Sequence, residues 1–130
     1  MKEQIIPVDL YKRGVVILQG AEEELKKWFC EHDAKHLCSA MTDTDWYNTK
    51  AITFDDDSDI YVCSIKPMEL TTLCHELSHA TLRILKIVGI DPVEAEEAYA
   101  YLFEYLIGQV TVSDDAPSLL SKDVSWHIPR

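Results

Sequence analysis

The chain has 130 residues, 47% of them apolar, enough for one domain with a real core and too few for a second. With 23 acidic residues against 12 basic ones, the formal net charge is -11, which argues against nucleic acid or anionic membrane as partner; a basic peptide or protein surface is easier to accommodate, and plain solubility is the simpler reading of the acidity. No apolar run approaches the roughly 20 residues of a membrane span, and no secretory signal is visible after Met1, so the expected compartment is the reducing cytoplasm, with Cys30, Cys38, Cys63 and Cys74 as thiols.

In chain order, Val15-Val16-Ile17-Leu18 is a short β-branched run ending at Gly20 and reads as a buried strand. Residues 21–31 follow with Leu25, Trp28 and Phe29 at helical spacing and glutamates in the first turn, where they complement the helix dipole. Residues 34–50 are of mixed polarity and read as loop. The runs Ala51–Phe54 and Ile60–Ile65 flank an acidic turn, Asp55-Asp56-Asp57-Ser58-Asp59, and so predict a β-hairpin. That turn lacks the glycine and distal glutamate of a calcium loop, so its charges read as solvated. Ser64 and Pro67 suit the start of a helix that runs to about Val88 and stops at Gly89. Asp91-Pro92 then opens a second helix to about Val110, antiparallel to the first across a short turn. A tail from about Thr111 to Arg130 reads as irregular, with Trp126 free to pack it back onto the domain. The pattern as a whole is α+β, with a small sheet packed against two helices in a single domain spanning 1–130.

The first of these two helices carries the chemistry. His75-Glu76-Leu77-Ser78-His79 is an H-E-x-x-H pattern. Residues four apart lie on one helix face, one turn above each other, so His75 and His79 can meet one cation from the same side. Glu76 stands on the adjoining flank, within reach of a water on that cation without being a ligand. Neutral imidazole suits zinc, and a catalytic zinc takes three protein ligands and keeps one position for water. The histidines point away from an apolar stripe of Leu70, Leu73, Leu77, Ile84 and Val88. Glu94, Glu96 and Glu97 on the next helix are the candidates for the third ligand, and periodicity alone does not choose between Glu96, aligned with Phe103 and Ile107, and Glu97, aligned with Tyr101 and Glu104.

The order strand, helix, strand pair, H-E-x-x-H helix and glutamate helix resembles the zincin metallopeptidases, and a glutamate as third ligand is similar to their gluzincin branch. Cys74-His75-Glu76-Leu77-Ser78-His79-Ala80 followed by Glu97-Ala98-Tyr99-Ala100-Tyr101-Leu102 looks like the small zincins encoded by phages and prophages, where an H-E-x-x-H helix precedes a helix opening E-x-x-A-Y-L. More distantly it is similar to the ImmA/IrrE-type peptidases. The match covers roughly residues 50–110. It implies a minimal zincin-like domain with Zn²⁺ held by His75, His79 and Glu97, and Glu76 as the base in hydrolysis of a peptide or protein substrate. Position 85 is Leu, so the third histidine of metzincins is absent.

Several further expectations follow. Tyr99 and Tyr101 are candidate donors to an anionic intermediate. The extended run from Asp59 to Ile65 is a candidate strand for substrate to add to. His32 and His36, four apart between Cys30 and Cys38, suggest a second, structural zinc, against which stands the lack of a C-x-x-C pair. The competing function is a binding or regulatory protein of phage type that keeps the site without turnover; the intact Glu76 argues against it.

Overall fold

A computed structural model describes residues 1–32, 34–56 and 58–112. Four strands, β1 (Lys2–Val8), β2 (Arg13–Gln19), β3 (Ile52–Asp55) and β4 (Ile60–Ser64), form one sheet in the order β1-β2-β4-β3. β2 and β4 are parallel, with Val15 opposite Ile60, and the two outer pairings are antiparallel. The helices are α1 (Glu22–Glu31), the short α2 (Cys38–Asp43), α3 (Leu70–Ile87) and α4 (Glu96–Val112).

Both faces of the sheet are covered, which explains why the central strands are apolar without alternation. Val15, Ile17, Ile60 and Val62 face Leu73, Leu77 and Ile84 of α3 and Leu102, Leu106 and Val110 of α4. Their neighbours Val16, Leu18, Tyr61 and Cys63 face Leu25, Trp28 and Phe29 of α1 and Met41 of α2. The fold class is therefore α+β, as the pattern indicated, with a layer of helices on each side rather than one. Among the described residues no helix is long and apolar enough to cross a membrane.

Several element assignments are corrected by the structure. β1 was not legible, because an edge strand needs only one apolar face and here shows just two inward residues, Ile6 and Val8. Residues 34–50 are not all loop: a 3-10 turn at Lys35–Leu37 leads into α2, and the buried Leu37 and Met41 give the segment a core face. Ser64 does not cap α3. It is the last residue of β4 and fully buried, and the chain runs through Pro67 and the buried Met68 before the helix starts at Leu70. Gly89 does end that helix, at φ 78°, where a side chain would be strained. Asp91 receives the Val93 N–H at 2.8 Å, but α4 proper begins only at Glu96 and continues to Val112, past the expected start of the tail at Thr111. Trp126 lies outside the described residues.

Candidate metal and hydrolysis site

α3 has two faces of opposite character. Leu73, Leu77, Ala80, Ile84 and Leu85 are fully buried on the sheet side, while His75 and His79 are exposed on the other. The core anchors the helix on one side, so His75 and His79 are positioned without burial of their own.

The two imidazoles meet. His75 Nε2 lies 3.1 Å from His79 Nε2, with the rings at 78° to each other. Two nitrogens bound to a tetrahedral zinc at 2.0–2.1 Å would stand about 3.3 Å apart. The pair thus has very nearly the bite that one zinc ion requires, and in the metal-free chain the same distance suits a hydrogen bond between neutral rings.

Glu76 is the unusual member. It is only 7% exposed, against the sheet-side flank of the helix. Burying a carboxylate is costly unless it is hydrogen-bonded, and the partner is Thr53 of β3, whose hydroxyl donates to Glu76 Oε2. The same hydroxyl is 3.3 Å from the Glu76 carbonyl oxygen. Oε1 has no hydrogen-bond partner among the described residues. A second link between α3 and β3 lies one turn beyond His79, where Arg83 Nη1 bonds the Asp55 carboxylate.

Among the described residues β3 is the outer strand of the sheet on this side, so one row of its backbone groups has no strand partner there, beside Glu76 and Arg83 of α3. This corrects the expected substrate strand. The run from Asp59 to Ile65 is β4, which lies inside the sheet with β2 on one side and β3 on the other, and has no edge to offer. The run Ala51–Phe54 supplies the edge instead.

Neither a family model, nor a curated protein, nor a solved structure matches the chain. The site therefore stands on its own geometry. Glu96 and Glu97 both lie exposed in the first turn of α4, and among the described residues no three His, Cys, Asp or Glu side chains converge as a metal-binding group. The structure brings the His75 and His79 rings together, and His75 and Glu76 line one depression; neither Glu96 nor Glu97 joins a three-membered group among the described residues. On α4, Glu97 shares its row with the exposed Tyr101 and Glu104, whereas Glu96 shares one with Phe103, which packs into the core.

Tyr99 and Tyr101 separate as well. The Tyr99 hydroxyl is 2.6 Å from Ser78 Oγ, tying α4 to the motif helix. Tyr101 is 68% exposed and lines a different depression, with Leu10 and Tyr11. The second histidine pair does not assemble either: the His32 ring stacks on Trp28 at 3.9 Å and donates through Nδ1 to the Trp28 carbonyl. Cys74, beside the motif, has its thiol pushed up by burial, as befits a packing residue rather than a nucleophile. Thr53 and Arg83 were missed at the sequence level because nothing local marks them; they matter only through the pairing of β3 with β4, which lays one beside Glu76 and the other beside Asp55.

Proposed function

We infer that the protein is a zinc-dependent hydrolase of zincin type, cutting a peptide bond with Glu76 as general base. The observation that carries this reading is the pair of Nε2 atoms 3.1 Å apart on an exposed helix face, with a buried carboxylate held on the adjoining flank. A helix using two histidines structurally has no need of that carboxylate, and burying one without a task is expensive.

His75 and His79 would hold the ion, with a glutamate from the first turn of α4 as third ligand: Glu97 by resemblance, Glu96 by the row it shares with Phe103. Zinc held so supplies a Lewis acid and a water acidic near neutral pH. Glu76 accepts a proton on Oε1 as the water attacks the substrate carbonyl, and delivers it to the departing amine. Thr53 keeps the other oxygen fixed, so the carboxylate does not swing out to solvent. The outer edge that β3 has among the described residues can receive an extended peptide as an added strand.

Zinc content by elemental analysis, together with peptide hydrolysis, tests this directly. His75→Ala should lose the metal, Glu76→Gln should keep it, and both should lose hydrolysis. Zinc unaffected by His75→Ala would refute the reading, and zinc bound with no hydrolysis of any peptide would instead favour a binding protein.

A further inference from the structure

Two depressions lie along α3, one at each end of the histidine pair. Toward the C-terminal end of the helix, Asp55, His79, Leu82, Arg83, Lys86 and Ile87 line a depression of about 480 Å³. At the His75 end, a second depression of about 430 Å³ is lined by Lys50, Thr71, Thr72, His75 and Glu76, among others. The charge of these two hollows runs against that of the chain. Overall the formal charge is -11, yet the hollows contain Lys50, Arg83 and Lys86 against only Asp55 and the buried Glu76.

Among the described residues, Asp55, Asp56 and Asp59 around the β3–β4 turn already have partners. Asp55 is bonded to Arg83. Asp56 receives the N–H groups of Ser58 and Asp59 at 3.1 and 2.9 Å and the Tyr61 hydroxyl at 3.1 Å. Asp59 receives the Gly14 N–H at 2.9 Å. Arg83, by contrast, uses one nitrogen on Asp55 and keeps further donors. Lys86 is exposed and makes no ion pair among the described residues.

Resting on the hydrolase reading above, we propose that Arg83 and Lys86 form a carboxylate subsite, so that the preferred substrate is an acidic peptide segment and not the basic one that net charge suggests. Arg83 and Lys86 follow His79 by four and seven residues, a rise of about 6 and 10.5 Å along the helix. An extended peptide covers that distance in about two to three residues. The subsite therefore takes an acidic side chain two or three residues from the cleaved bond, or the terminal carboxylate of a chain that ends there.

The test is equilibrium binding of labelled, blocked oligoalanine peptides to the full, metal-free chain. Each peptide carries a single Glu or a single Lys, and one further peptide has a free C-terminal carboxylate. Glu peptides should bind at least roughly fivefold more tightly than Lys peptides. Lys86→Glu, an exposed change two turns beyond His79, should abolish or reverse that preference. Preference for the free carboxylate alone identifies a terminal carboxylate as the occupant; preference for Glu alone identifies a side chain. Equal binding of Glu and Lys peptides, a preference unchanged by Lys86→Glu, or no binding at all would overturn the proposal. The comparison needs neither metal nor turnover, so absence of hydrolysis in the zinc-loaded chain would count against the hydrolase reading alone.

Discussion

Thr53 of β3 donates its hydroxyl to the carboxylate of Glu76 on α3, across a boundary between edge strand and helix that lies 23 residues apart in sequence. A buried acceptor that loses its donor costs about 1–3 kcal/mol. Thr53→Val, which keeps the shape and removes the hydroxyl, should lower the unfolding free energy by that amount in denaturant titrations at neutral pH. Thr53→Ser should lose markedly less. On the hydrolase reading, Thr53→Val should also reduce kcat of the zinc-loaded protein by roughly tenfold with little change in KM, because the proposed base would no longer be held. Equal losses for Val and Ser would mean that strand packing, not the hydrogen bond, is responsible.

The third ligand separates by a pair of substitutions. Glu96→Gln and Glu97→Gln are both exposed changes on α4 and should leave the fold intact. One of them should weaken zinc on the order of a hundredfold, the other hardly at all. Titration against a zinc indicator reads the difference. If both variants bind zinc like the parent chain, no ligand comes from this turn.

Tyr99 is expected to be structural. Its hydroxyl is engaged with Ser78 at 2.6 Å, so Tyr99→Phe should cost about 0.5–1.5 kcal/mol of stability. Steady-state hydrolysis should stay near the parent value. A fall in kcat on the order of a hundredfold would instead assign the hydroxyl to stabilising the oxyanion.

Asp56 gives a pH signature. Burial alone would raise its carboxyl, but the N–H groups of Asp59 and Ser58 and the Tyr61 hydroxyl outweigh this and hold it below the ordinary aspartate range. A depressed folded-state value stabilises the fold above the unfolded pKa, and that contribution fades as pH falls through the folded one. The stability gap between the parent and Asp56→Asn should therefore be widest near neutrality and shrink below about pH 4. Thermal melts at several pH values would show it; a gap that grows toward acid would contradict the assignment.

What could be read from the residues follows how local each signal is. The β2 run, the amphipathic α1, the β3–β4 hairpin and the H-E-x-x-H helix each carry their periodicity within a few residues, and each is present. β1 escaped notice because its partner, β2, supplies half its reason for being a strand. The end of α3 at Gly89 was visible and its start was not, since a positive φ leaves a glycine in the sequence while a buried Ser64 looks like a cap. At the site, the spacing of His75 and His79 was legible from helix geometry alone. That Glu76 is buried, and that β3 rather than β4 offers the edge, depends on which strand lies between which, and the parallel pairing of β2 with β4 decides it.

That parallel pairing also sets the order of assembly. Val15 and Ile60 are neighbours in space though 45 positions apart in sequence, and contacts this distant in sequence close late and slowly. Until they close, β3 has no berth, Thr53 does not reach Glu76, and α3 has no surface on which to lay its leucines. A nascent chain would thus carry the whole histidine motif before Glu76 has its partner, and the proposed site would be completed only with the zipping of the two inner strands.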